Sequence, residues 1–117
     1  MKITATYHTK PASESLLTIN SKTPIIKLGN IISIEAQANY SLIHTKGGSI
    51  ICTKTLKFFE KNIQDPRFIR PHRSHIVNRD YIEKCTRQAG SFTIGLKNGN
   101  KIDVARRRNK EISDILV

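Results

Sequence analysis

Residues 67–79, RFIRPHRSHIVNR, are unusually rich in arginine and histidine. The stretch holds four arginines and two histidines and contains no acidic residue. A guanidinium group presents parallel N–H donors that match the paired acceptors of a phosphate or of a guanine edge. A solvated face ordinarily mixes charges of both signs. Because nothing within this stretch neutralises the charge, we expect it to contact a polyanion.

A second basic cluster follows near the C-terminus, where Arg106, Arg107 and Arg108 are consecutive. Three adjacent arginines repel one another unless an anion lies nearby, so the cluster favours contact with a nucleic-acid groove or backbone. The apolar residues that follow, Ile112, Ile115 and Leu116, indicate a segment that docks on the domain and argue against a disordered tail.

The overall charge supports the same class of partner. Twenty Lys and Arg against nine Asp and Glu give a net charge of +11 and a pI near 10.1. Residues 54–117 carry fifteen of the basic side chains, so the excess is concentrated in the second half of the chain. A clustered positive charge predicts a nucleic-acid partner.

The histidines allow a competing chemistry. His72 and His75 beside arginines are compatible with acid–base work on a phosphodiester, so a His-dependent phosphodiesterase stays open as an alternative. Nucleotide-binding and nucleophile motifs are absent from the sequence, and we expect no enzyme and no cofactor. Neither histidine has the ligand spacing of a metal site with Cys52 or Cys85, which we expect to be two buried thiols.

The length and the apolar pattern limit the architecture. A chain of 117 residues supports one modest core. No apolar stretch is long enough to cross a bilayer and the N-terminus lacks the apolar segment of a signal peptide, so we expect a cytoplasmic protein without a membrane partner.

Short runs rich in β-branched residues, separated by turn residues, predict a mainly β fold with one or two short helices. The predicted strands span residues 16–19, 25–28, 31–35, 40–45, 49–53, 81–85, 91–96 and 101–104. Gly and Asn in the turns at 28–30, 46–48 and 97–100 favour hairpins between adjacent antiparallel strands.

Helical spacing of apolar residues predicts a short helix at 55–63, capped by Thr53 or Thr55, and a second helical stretch at 107–117. Residues 1–14 lack periodicity, so we divide the chain into an N-terminal arm or linker, 1–14, and one domain, 15–117.

Three stretches in this order resemble the LytTR family of bacterial DNA-binding domains, usually the output half of response regulators. IISIEAQANYSLIHT, at 31–45, resembles the family's strand, Glu-Ala turn, Asn-Tyr and following strand. FIRPHRSHIVN, at 68–78, is similar to its most recognisable signature, and LKNGNKIDVARRR, at 96–108, resembles its Asn-Gly hairpin and basic turn. The match covers roughly residues 15–117.

The resemblance implies an elongated arrangement of short antiparallel strands in which loops enter successive major grooves of duplex DNA and regulate transcription. It assigns base contacts to Asn39, Arg73 and Arg107. It assigns contacts with the DNA backbone to Arg70, Ser74, Lys97, Arg106 and Arg108. His72 and Asn78 match signature positions that we interpret as structural.

The sequence departs from the family at Ala105, where the family often has a serine hydroxyl before its arginines. By resemblance, we expect paired direct repeats on the DNA, a homodimer formed there, and a receiver domain or sensor kinase as partner. An RNA-binding module is the other alternative, because basic β-rich domains also stack single-stranded bases on aromatic side chains.

Overall fold

The computed structural model describes residues 6–8, 16–18 and 26–116, with side chains described for 26–116. Short antiparallel strands dominate, as predicted. Eleven strands lie in the described residues: β1 Thr6–His8, β2 Leu16–Thr18, β3 Ile26–Lys27, β4 Ile31–Ala36, β5 Ser41–Thr45, β6 Gly48–Cys52, β7 Phe68–His72, β8 His75–Asn78, β9 Ile82–Gln88, β10 Ser91–Leu96 and β11 Lys101–Asp103. The helices are α1, Leu56–Asn62, and α2, Asn109–Leu116, and 3-10 turns lie at Leu28–Asn30, Arg79–Tyr81 and Arg106–Arg108.

A five-stranded antiparallel sheet, in the order β6-β5-β4-β8-β7, forms the centre of the domain. Its middle strand, β4, is buried from Ile31 to Ile34 because both faces of the sheet are covered. On one face, Ile34 and Ile43 pack with Phe59 of α1. Side chains leave a strand alternately towards its two faces, so β4 supplies apolar residues to two cores.

The second core lies on the opposite face, under a three-stranded sheet in the order β11-β10-β9. Ile32 and Val77 of the central sheet pack there with Ile94 of β10 and Ile112 of α2. The β10–β11 hairpin shows the predicted alternation, and Gly99 in its turn has a φ of 92°. The inward side of α2 confirms the expectation that the C-terminal segment docks.

The β7–β8 hairpin was not predicted as a pair of strands. Pro71 is tolerated in β7 because β7 is the last strand of the sheet, where a missing N–H breaks no ladder. The α1 prediction is confirmed, with Thr55 as its cap: the Thr55 side chain accepts a hydrogen bond from the Phe58 N–H.

Two expectations were wrong. The 28–30 turn does not close a hairpin, because β3 pairs with β2 whereas β4 pairs with β5 and β8. Cys85 is exposed, because its strand β9 is an outer strand of the β11-β10-β9 sheet. Of the two thiols, Cys52 alone is buried. Burial raises the pKa of both thiols. For Cys52, this increase in pKa is larger than the decrease that Lys54 causes.

The segment expected to be an arm, 1–14, contains β1, which pairs with β2 in a small antiparallel sheet. Its other residues lie outside those described, and the division at residues 14 and 15 stays a prediction. No helix in the described part of the chain is long and apolar enough to cross a membrane.

Candidate nucleic-acid interface

Arg73 and Ser74 occupy the two-residue connection between β7 and β8. The turn is fixed from within, because the backbone N–H of Ser74 donates to Nδ1 of His72 at 3.1 Å. This contact supports the structural interpretation of His72. Arg73 is exposed, and no hydrogen bond or ion pair with a described residue engages its guanidinium group. The signature turn therefore presents one available arginine.

The other three arginines of the 67–79 stretch have partners in the protein. Arg67 binds Asp65 at 2.7 Å, Arg70 binds Glu60 at 3.1 Å, and Arg79 donates to the Ile115 carbonyl at 2.9 Å. The stretch itself contains no acid, but the fold brings Asp65 and Glu60 from outside it to two of its arginines. Burial tends to raise the pKa of Asp65, but hydrogen bonds from Arg67 hold it below its ordinary value.

Asn39 lies on the neighbouring turn. The Ala36 N–H donates to the Ser74 carbonyl at 2.8 Å, so the end of β4 is joined to the turn that carries Arg73. The next turn, 37–40, is closed by a hydrogen bond of 2.8 Å from the Gln37 N–H to the Tyr40 carbonyl. Asn39 is exposed on this turn. The topology thus brings together two predicted base contacts that are 34 residues apart in the sequence.

A depression of about 330 Å³ lies between these turns and the start of α1. The buried hydroxyl of Ser41 donates to the Lys54 carbonyl at 2.6 Å, which fixes the chain that enters α1 beside the 37–40 turn. Among the described residues, four basic side chains and no acidic side chain line the depression. The basic residues are Lys54, Lys57, Arg70 and Arg73.

The arginine turn at 106–108 is anchored close by. The Ala105 N–H donates to the Pro71 carbonyl at 2.9 Å, and Nη1 of Arg108 donates to the Arg70 carbonyl at 3.1 Å. Arg106 and Arg107 are exposed, and their guanidinium groups have no hydrogen bond or ion pair with any residue of 26–116. We call the surface formed by residues 37–40, 53–57, 73–74 and 105–108 the loop face.

Lys97 lies apart from the loop face. Lys97 directly follows β10, and its N–H donates to the carbonyl of Tyr81. Tyr81 lies past the C-terminal end of β8, whereas Ser74 precedes the N-terminal end of that strand. At the other end of the same hairpin, Val104 pairs with Phe92 shortly before the arginine turn. Lys97 is five positions further along the strand than Phe92, and this spacing corresponds to about 15 Å. The structure therefore brings together Asn39, Arg70, Arg73, Ser74, Arg106, Arg107 and Arg108, but not Lys97.

Lys54 and Lys57 are the residues that sequence reasoning missed. Both line the depression, and Nζ of Lys54 lies 4.7 Å from the centre of the Phe58 ring. The segment 53–57, TKTLK, combines two hydroxyl and two basic side chains at the start of a helix. Side chains of both kinds bind phosphate groups. The segment was interpreted as a cap and an apolar stripe alone.

The histidines and cysteines form no metal-ligand cluster within the described residues. His75 lies beside His72, with ring centres 6.1 Å apart, and its Nδ1 is shielded from solvent. Burial lowers the pKa of His75, the Glu35 carboxylate opposes that effect, and His72 and His44 add to it. This environment favours neutral imidazole.

Asn78, the other signature residue interpreted as structural, is fully buried. Its side chain donates to the Ile31 carbonyl at 2.9 Å and accepts from the Asp80 N–H at 2.9 Å. These contacts confirm that interpretation, because the amide satisfies two backbone groups where β8 ends beside β4.

Comparison with known proteins agrees with this geometry. The sequence resembles the sensory transduction protein LytT of Bacillus subtilis, with 31% identity over 86% of this chain and 42% of that protein. It is 32% identical to the transcriptional regulatory protein LytR of Staphylococcus aureus, over 80% of this chain and 38% of that protein. The chain thus spans less than half the length of these relatives.

The fold is similar to a solved LytTr DNA-binding domain from Bacillus cereus, with a TM-score of 0.73 and 18% identity over 99% of this chain and 97% of that one. The family model described as the LytTr DNA-binding domain matches residues 21–117. On this match, which covers most of the sequence and all of the loop face, the chain belongs to the LytTR family of DNA-binding domains.

Proposed function

We propose that this chain regulates transcription by binding specific sequences of duplex DNA through its loop face. The observation that carries the proposal is the convergence of three turns that carry Asn39, Arg73 and Arg107, with both guanidinium groups left without a partner among residues 26–116. Asparagine pairs well with adenine and arginine with guanine in the major groove. In this proposal, these three side chains contact base edges in successive grooves.

Phosphate contacts surround the base contacts in the proposed complex. Ser74, Arg106 and Arg108 lie on the loop face, and Lys54 and Lys57 extend it towards α1. Lys97 serves as an outlying contact that requires the duplex to continue past the β10–β11 turn. Contacts of this kind fix the position and register of the protein on DNA without selecting a sequence.

The relatives suggest the setting in which the domain acts. Their names describe a sensory transduction protein and a transcriptional regulatory protein, and both are more than twice the length of the matched region. We propose that the domain works with a receiver domain or sensor kinase, and that two copies occupy paired direct repeats as a homodimer assembled on DNA. Cytoplasmic function belongs to the same proposal.

The alternatives have less support. A single-strand binder needs several exposed aromatic rings, but Phe59 and Phe92 are buried and Phe58 and Phe68 pack against the core. Tyr40 is the one aromatic residue exposed among residues 26–116, and a single ring does not form a stacking platform. A phosphodiesterase needs two histidines free to exchange protons, whereas His72 accepts from Ser74 and Nδ1 of His75 is shielded. We therefore propose no catalytic role.

The decisive experiment is selection of preferred duplexes from a random pool, followed by competition with scrambled duplex, single-stranded DNA and RNA. We expect one repeated motif to be enriched and to outcompete the other three. Equal binding of the selected duplex and the three competitors would overturn the proposal. Cleavage of labelled nucleic acid that disappears in His75→Ala would instead support the enzyme.

A further inference from the structure

Arg70 lines the depression beside the loop face, and it differs from the other basic residues there because its charge is already engaged. Its Nη1 lies 3.1 Å from Oε1 of Glu60 on α1, and its Nη2 donates to the Arg73 carbonyl at 2.8 Å. The side chain is only 19% exposed. Its backbone carbonyl also accepts the 3.1 Å hydrogen bond from Arg108. One residue therefore contacts α1, the 73–74 turn and the arginine turn.

The geometry points to a role for Arg70 that differs from a phosphate contact. Its guanidinium group bridges a carboxylate and a turn carbonyl, which uses the forked geometry that lysine lacks. The adjacent carboxylate of Glu60 offsets the positive charge that would attract a phosphate. Nε is shielded from solvent and has no acceptor within residues 26–116, so its N–H is not accessible to a ligand outside the protein.

We propose that Arg70 is a positioning residue that, together with Glu60, fixes the backbone at Arg73 and thereby the direction in which Arg73 meets DNA. The proposal rests on the proposed function of the loop face. Arg108 adds a second contact, since its hydrogen bond to the Arg70 carbonyl connects the arginine turn to β7, the strand that carries Arg70. Two base-contacting turns are then held in one register by a residue that touches no base.

Glu60→Gln separates positioning from phosphate contact. If Arg70 bound a phosphate, removal of the neighbouring negative charge would strengthen binding to every duplex. If Arg70 positions Arg73, the same substitution weakens the bridge and lowers the preference for the selected site over a scrambled duplex by about fivefold, which is the lower end of the discrimination that one arginine–guanine pair provides. Glu83→Gln, on exposed strand β9, is the matched control and should change neither quantity.

Arg70→Lys provides the second comparison. Lysine keeps the charge, so a phosphate contact would survive with an unchanged salt dependence and an unchanged sequence preference. A single ammonium group does not reproduce the fork, so we expect the preference to fall as in Glu60→Gln while affinity for scrambled DNA stays within about twofold of the unsubstituted chain. Arg79→Lys is the control, since Arg79 bonds the Ile115 carbonyl away from the loop face.

Backbone ¹⁵N relaxation of the free protein completes the test. We expect the amides of Arg73 and Ser74 to gain motion in Glu60→Gln and Arg70→Lys but not in the two controls. Stronger binding by Glu60→Gln, or unchanged turn dynamics in both variants, would overturn the positioning role. A chain without sequence preference that still shows the change in dynamics would instead refute the proposed function and leave the role of Arg70 in the turn established.

Discussion

Ala36 donates its backbone N–H to the carbonyl of Ser74 at 2.8 Å, across 38 residues of sequence. This bond continues the β4–β8 ladder to its end and sets the 37–40 and 73–74 turns side by side. The neighbouring bond from Ala105 to Pro71 adds the arginine turn. One end of the central sheet thus supports several short turns. In the proposed complex these turns, and not a helix, present the side chains that contact DNA.

Arg107→Ala and Lys97→Ala should separate base contact from backbone contact. We expect Arg107→Ala to lower the preference for the selected site by roughly 5- to 150-fold, corresponding to about 1–3 kcal/mol for one arginine–guanine pair. Lys97→Ala should weaken binding to all duplexes alike. The measurement is competition binding against matched and scrambled duplexes. Equal loss of preference in both variants would contradict this division.

The affinity should depend strongly on salt. If about six phosphates are contacted, log affinity falls with log salt at a slope of about −5. Lys57→Ala, on the rim of the depression, should make the slope shallower by about 0.9 if it contacts one phosphate. Titrations at several salt concentrations measure both effects. An affinity that is independent of salt would contradict the electrostatic part of the proposed function.

Asn78→Ala tests the structural role of the signature asparagine. The substitution leaves the buried Ile31 carbonyl and the Asp80 N–H without their partner, so we expect the free energy of unfolding to fall by about 2–4 kcal/mol. Asn98→Ala removes a comparable bond to the Asn100 N–H in an exposed turn, and should cost less than half as much. Urea denaturation of both variants supplies the comparison.

Stability should fall on mild acidification because of His75. Burial lowers its pKa below the ordinary 6.5, so the unfolded chain takes up a proton more readily than the folded chain. The contribution is complete above about pH 6.5 and is lost as the pH falls through the lower folded value. Glu35, His72 and His44 act on this imidazole together with burial, and Lys101 lines the same depression.

Denaturation at pH 7.5 and 5.5 measures this dependence, and His75→Gln is the informative variant because glutamine does not titrate. We expect the difference in stability between the two pH values to shrink in His75→Gln. An unchanged pH dependence would assign the effect to other groups. Binding assays at the same two pH values would show whether the 73–74 turn, which adjoins His75, is affected.

Local chemistry made several parts of the fold predictable. Gly99 with positive φ closes the β10–β11 hairpin, and Thr55 caps α1, because both effects depend on a few adjacent residues. Strands β7 and β8 were not predicted, because basic residues and Pro71 obscure the alternation of side chains between the two sheet faces at Phe68, Ile69 and Arg70. The exposure of Cys85 was missed because a thiol gives no sign of whether its strand is at a sheet edge.

The sequence alone determined which turns carry arginine, where the backbone must bend and which family the chain resembles, since these follow from residue types at short spacing. Only the tertiary structure decided which arginines are available to a ligand. Arg70 and Arg79 are engaged by Glu60 and the Ile115 carbonyl, whereas Arg73 and Arg107 have no such partner in the part of the chain whose side chains are described. The reason is physical: a charge is neutralised by whatever the fold places within a few ångströms, and such neighbours come from distant segments whose approach is set by strand order and packing.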